Sequence, residues 1–139
     1  MQKSGQRASE VAIGYAVGPA GGGVAYASFQ RAGAQDVLRL PFRIKQIAAS
    51  IERAAGYAAL VAVARAIHRL GLSRVRFVLA DEDFVREVAS RAEVPDNLVL
   101  PYVRLRCALN ALGNFEIAAG PTDDLMQRAR AEVALNQAA

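Results

Sequence analysis

The sequence predicts an α/β domain: a five-stranded mixed sheet, a three-strand antiparallel meander plus parallel strands, with helices on both faces. Two observations carry this. Up to about residue 45, larger apolar residues alternate with small or polar ones at the two-residue period of strands, with glycine-bearing turns between. From about residue 50, helix-period segments alternate with short apolar runs, the order that builds parallel strands joined by helices.

Taken in order, residues 1–10 are polar and are expected to form a flexible N-terminal tail, with a single domain over 11–139. In Val11 to Val17, Val11, Ile13, Tyr15 and Val17 alternate with Ala12, Gly14 and Ala16, a strand with small residues on one face. Gly18-Pro19-Ala20-Gly21-Gly22 is a turn, and Val24 to Gln30 returns as the second strand of a hairpin. Strand three places Leu38, Leu40, Phe42 and Ile44 on one face and Arg39, Pro41, Arg43 and Lys45 on the other. Pro41 cannot donate to a ladder, so this strand belongs at a sheet edge.

Ser50 is placed to cap a helix that runs to about Leu70 and stops at Gly71, with Tyr57, Leu60, Val61, Ala64 and Ile67 at helical spacing. Arg74 to Ala80 reads as a mostly buried parallel strand. Asp81 caps a short helix to about Arg91, Pro95-Asp96-Asn97 breaks the chain, and Pro101 to Leu112 forms a helix ended by Gly113. Phe115 to Ala118 is a fifth strand, and Thr122 or Asp123 opens a last helix to about Leu135.

Hydrophobic residues make up 53% and charged residues 22%, which excludes a disordered chain and fits one domain with one core. The longest nearly apolar stretch, Ala54 to Ala64, is far short of the ~20 residues of a membrane span, and Met1 to Glu10 carries no apolar signal region. Cys107 is the single cysteine and His68 the single histidine, so no internal disulfide or Cys/His zinc cluster can form, and a reducing cytoplasm is the expected compartment. The net charge of +4 permits a nucleic-acid partner without demanding one.

Several segments then line up with one family. Val11-Ala12-Ile13-Gly14-Tyr15-Ala16-Val17-Gly18, Ala55-Gly56-Tyr57-Ala58-Ala59-Leu60, Val78-Leu79-Ala80-Asp81 followed by Phe84-Val85, and Thr122-Asp123-Asp124-Leu125 come in order. Together with the element order, they resemble ribonuclease H type 1 over nearly the whole chain after residue 10. The resemblance implies a ribonuclease H-like fold and four metal-binding carboxylate positions. Two of these fall on Asp81 and Asp123; the other two fall on Ala16 and Gly56. The loop after the first strand is shortened here, and Gly120-Pro121 stands where the family has a mobile loop with a histidine.

The family's reaction, hydrolysis of RNA in an RNA–DNA hybrid, uses two divalent ions to hold the attacking water and the leaving oxygen. Mg²⁺ requires converging oxygen ligands, and neither a methyl group nor a hydrogen is one. The resemblance therefore implies a degenerate active site with no cofactor expected, or Mg²⁺ or Mn²⁺ if residual activity persists. Glu52, one helical turn before Gly56 and about 6 Å away, is the acid that could substitute. Glu10 is about 20 Å from Ala16 along a strand and cannot. For Asp81 and Asp123 two readings stand: metal ligands, or residues that open helices, where negative charge is favourable without any metal.

Arg39, Arg43 and Lys45 form a basic stripe that suits either a solvated edge or phosphate contact. The Gly18–Gly23 run lacks the Lys-Ser/Thr of a phosphate loop and reads as a turn. His68 is expected at the surface, Tyr102 in the core and Cys107 as a small buried residue. Three functions follow: an inactive module that binds nucleic acid (an RNA–DNA hybrid or another) or protein, a weak metal-dependent ribonuclease, and a structural homo-oligomer.

Overall fold

The computed structural model describes residues 9–45, 51–72, 74–90 and 94–138. In it the alternating segments become β1 (Ser9–Val17), β2 (Gly22–Arg31) and β3 (Ala34–Arg43), paired antiparallel. There follow α1 (Ile51–Arg69), β4 (Arg74–Leu79), α2 (Glu82–Ser90), α3 (Val99–Leu112), β5 (Asn114–Ala119) and α4 (Asp123–Ala138). The sheet order is β3-β2-β1-β4-β5, with β1, β4 and β5 parallel. Pro41 sits in β3 at the edge, as its missing donor requires.

The two faces of β1 separate two layers. Val11 and Ile13 are fully buried in the main core, with Tyr57, Leu60, Val63, Ala64 and Ile67 of α1 and Leu105 and Leu109 of α3. The small residues of the other face meet α4. A Cβ at Gly14 would lie 2.4 Å from the Leu125 carbonyl carbon and the Met126 nitrogen, so only glycine lets β1 approach the α4 backbone this closely. Around this contact Val24, Tyr26 and Ala129 form a second buried cluster, with Ala16, Leu125 and Val133 packed on it.

The structure corrects four readings. Ser9 and Glu10, assigned to the tail, pair with Val75 and Arg76 of β4. Glu10 looked unstructured because it is polar, but it stands on the open side, 3.7 Å from Arg76. Cys107 is exposed, not buried. The buried stripe of α3 runs through Leu105, Ala108, Leu109 and Leu112, and Cys107 lies off it. Tyr102 is only partly buried, at the margin of the core. The segment at Pro95 is a short 3₁₀ turn, Asp96–Leu98, and helix α3 starts at Val99. The cap expected at Ser50 lies outside the described residues.

Candidate functional site

The C-terminal ends of β1 and β4 lie side by side. Their parallel register runs to the Ala12–Val78 pair, and Asp81, two residues past the end of β4, lies close enough to Tyr15 for its charge to act on the phenol. Asp81 caps α2: its Oδ1 accepts from the Phe84 N–H at 3.1 Å, and its carbonyl accepts from Val85 N–H at 3.1 Å. The capping geometry is therefore present. Phe84 and Val88 of the capped helix are fully buried, which fixes where Asp81 stands.

Gly56 is buried in α1 directly opposite. A Cβ there would meet the Tyr15 hydroxyl at 3.0 Å and the Phe84 ring at 3.3 and 3.4 Å. The space beside Gly56 is thus filled by two aromatic side chains from β1 and α2. Burial first, and the charge of Asp81 second, push the Tyr15 hydroxyl up to about 12, with Glu52 adding in the same direction and Arg53 opposing. So Asp81 and Glu52 share the surroundings of one neutral phenol. Glu52 itself is exposed.

Next to this group, Arg53 bridges α1 to α2 through Glu87 at 2.5 Å. The Tyr57 hydroxyl also donates to Glu87. Burial, then that bond, raises the Tyr57 hydroxyl well above the usual phenol range. Tyr57 stands edge-on to Phe84, with centroids 5.0 Å apart. These partners are 34 and 30 residues apart in sequence, and no local signal in the sequence points to them.

Asp123 lies elsewhere. With Asp124 it forms the first turn of α4, where negative charge complements the helix dipole. It opens on a depression of about 480 Å³ lined also by Ala12, Ser28, Pro121, Thr122 and Leu125, on the α4 side of β1. Tyr15 packs on the opposite side, against the main core. Strand β1 therefore stands between the Tyr15 group and the Asp123 depression. Ala16 packs among Val24, Tyr26 and Ala129, an apolar setting for any acid at that position. Among the described residues, no three His, Cys, Asp or Glu side chains gather where a metal ion could sit.

The basic stripe is divided. Arg39 Nε lies 2.9 Å from both carboxylate oxygens of Glu132 on α4, and its Nη2 also reaches that carboxylate. Tyr26 donates to the same group, and Arg39, then Tyr26, hold the Glu132 carboxyl below its usual range. Arg43 and Lys45 are exposed. His68 is exposed in the last turn of α1, as expected.

No protein-family model and no curated protein sequence matches this chain. Solved structures do. Ribonuclease H1 of the halophilic archaeon Halobacterium salinarum NRC-1 superposes with a TM-score of 0.72 at 17% identity, covering 94% of this chain and 99% of that one. The N-terminal ribonuclease H domain of Rv2228c from Mycobacterium tuberculosis gives a TM-score of 0.63 at 18% identity, covering 86% and 95%. LC11 ribonuclease H1, solved in complex with an RNA/DNA hybrid, gives 0.65 at 12% identity, covering 94% and 99%. At these identities the likeness is one of architecture, and the chain has a ribonuclease H-like fold.

Proposed function

We propose that this chain is a ribonuclease H-fold module that binds nucleic acid without cutting it. The observation that carries the reading is the filled space at Gly56, where the Tyr15 hydroxyl and the Phe84 ring stand 3.0 to 3.4 Å from where a side chain would begin. A position that had merely lost its acid would leave a hole. Here the neighbours have closed on it. The partner class is supported by the fold shared with a protein solved on an RNA/DNA hybrid. The exposed Arg43 and Lys45 supply cations for phosphate contact. Asp81 and Asp123 serve as helix-opening residues in this reading.

The test is a labelled RNA–DNA hybrid incubated with Mg²⁺ or Mn²⁺, together with salt-dependent retention on the same hybrid. Retention at low salt without cleavage is expected. Cleavage that Asp81→Asn abolishes would overturn the proposal, and absence of retention at low salt would remove the partner.

One observation favours the second reading, a weak metal-dependent ribonuclease. Glu52 and Asp81 both act on Tyr15, so two carboxylates lie near one point. In that case Mn²⁺-dependent cleavage would fall in both Glu52→Gln and Asp81→Asn.

A further inference from the structure

Helix α3 is apolar on both of its faces. Leu105, Ala108, Leu109 and Leu112 point into the core. Among the described residues six large apolar side chains are exposed, and three of them fall in the first five residues of α3: Val99 at 45%, Leu100 at 65% and Val103 at 47%. Cys107, exposed one turn further on, extends the strip. A helix that is apolar all round is normally covered on both sides, and a contiguous exposed apolar patch marks an interaction surface. We propose that this outward face of α3 docks an acidic amphipathic helix of a partner protein.

Helical spacing makes the strip continuous. Val99, Val103 and Cys107 follow one another at four-residue steps with Leu100 beside them, so the strip runs about 12 Å along the axis. It spans about a third of the helix circumference, the width of a stripe that packs on another helix. An arginine stands at each margin. Arg104, four residues after Leu100, borders one side, and Arg106, three after Val103, borders the other. The Arg106 guanidinium is steadied over the Phe115 ring, 5.7 Å from its centroid. An apolar seam with a charge on each flank is the pattern by which paired helices choose their partners.

The flanking charges select the occupant. Helix α3 itself contains no carboxylate; the nearest acid before it in sequence, Asp96, lies in the 3₁₀ turn. Neither Arg104 nor Arg106 has a carboxylate within ion-pair distance among the described residues. A second copy docked through the same face would set arginine against arginine at both margins, whichever way the helices ran. A bilayer surface is met by aromatic side chains at the headgroup level, and the strip exposes only aliphatic side chains and a thiol. A helix with apolar residues at three- and four-residue spacing and Glu or Asp on both flanks meets the seam and both guanidinium groups at once. The strip belongs to the helical layer over the main core, on the side of the sheet opposite α4, so the proposal stands independently of the nucleic-acid reading.

The probe is a fluorescein-labelled helical peptide of about three heptads, with Leu along the seam and Glu on both flanks, titrated with the full chain and read by anisotropy. The control peptide carries Lys in place of Glu. The Glu peptide should bind about tenfold more tightly than the Lys peptide, and its affinity should fall as salt rises. Leu100→Gln should weaken the Glu peptide about tenfold, the effect of one buried leucine. Arg104→Glu should erase or invert the preference between the two peptides. Both side chains are exposed, and an unchanged urea midpoint checks that each variant folds. Equal binding of the two peptides, or binding of neither, would overturn the proposal. A dimer in light scattering that Leu100→Gln disperses would overturn it in favour of a second copy. Retention on phosphatidylserine vesicles that the same variant abolishes would overturn it in favour of a bilayer.

Discussion

The contact at Gly56 can be measured by a double-mutant cycle between Gly56→Ala and Tyr15→Phe. Alanine in place of glycine within a helix gains about 1 kcal/mol of propensity. Against that, the new Cβ would stand 3.0 Å from the Tyr15 hydroxyl and 3.3 Å from the nearest Phe84 ring carbon. Ordinary carbon contacts sit at about 3.5–4.0 Å. The Phe84 ring has little freedom to retreat, because it is fully buried and held edge-on to Tyr57 at 5.0 Å. The Tyr15 hydroxyl therefore has to move, at an overpacking cost of about 1–2 kcal/mol. Gly56→Ala should thus be neutral to about 1 kcal/mol destabilising in the native sequence. In the Tyr15→Phe background the hydroxyl is gone and the propensity gain should emerge, so the coupling should equal the overpacking cost, about 1–2 kcal/mol. Urea midpoints for the four proteins, at an unchanged dependence on urea, give the number. A coupling below about 0.3 kcal/mol, the level at which independent sites add, would refute the claim that Tyr15 occupies the volume next to Gly56.

Three further outcomes follow from the same geometry. Glu87→Ala strips the partner from both the Tyr57 hydroxyl and Arg53 and should cost about 2–4 kcal/mol in urea unfolding; a loss under about 1 kcal/mol would mean that solvent satisfies both groups. Tyr15 ionises near 10 in an unfolded chain and only at about 12 when folded. Across that window the unfolded chain gives up a proton that the folded one keeps, so stability is intact below it and falls as pH rises through it. Tyr15→Phe should flatten part of that fall, and an unchanged slope would contradict the burial of the hydroxyl. On a hybrid column, Arg43→Ala and Lys45→Ala should each lower the salt at which the protein elutes, with a slope reduced by about one per lost phosphate contact. Arg39→Ala should change elution less, because Glu132 already holds that guanidinium; a larger effect for Arg39 would reverse the division of the stripe.

Much of the architecture was legible because its signals are local. Pro41 marked an edge strand, and the alternation of Leu38, Leu40 and Phe42 with Arg39, Pro41 and Arg43 told its two faces apart. Gly71 and Gly113 marked helix ends, and both adopt positive φ, 83° and 84°. Asp81 declared itself as a cap through its place between an apolar strand and Phe84. The missed features are those whose partners are far apart in the chain. Arg39 and Glu132 are separated by 93 residues, so the stripe on β3 looked uniformly free. Tyr15 could be placed on one face of β1 from its neighbours, but the distance from its hydroxyl to Gly56 depends on how α1 crosses the sheet. Ser9 and Glu10 were misread because polarity at an exposed strand end looks the same as polarity in a tail.

The four positions to which the sequence resemblance assigns acids divide along the same line. Asp81 and Asp123 open helices, where a carboxylate satisfies orphan N–H groups or complements the helix dipole with or without a metal. Position 16 lies within β1 against an apolar cluster, and position 56 lies within α1 against two aromatic rings. An acid at position 56 would crowd the Tyr15 hydroxyl and the Phe84 ring, and one at position 16 would stand against the apolar side chains of Val24 and Ala129, both at a cost. Without ligation, small residues at 16 and 56 stabilise the domain by letting α4 and Tyr15 pack inward, whereas removing Asp81 would leave an N-cap unfilled at about 1 kcal/mol. Small residues at 16 and 56 with carboxylates at 81 and 123 are therefore the arrangement that folding alone favours. It predicts that Asp81→Asn, which retains a capping oxygen, should leave stability within about 0.5 kcal/mol, while Asp81→Ala should lower it by about 1 kcal/mol. If Asp81→Asn instead cost as much as Asp81→Ala, the negative charge itself would be needed at that position, and the cap would no longer account for the survival of Asp81.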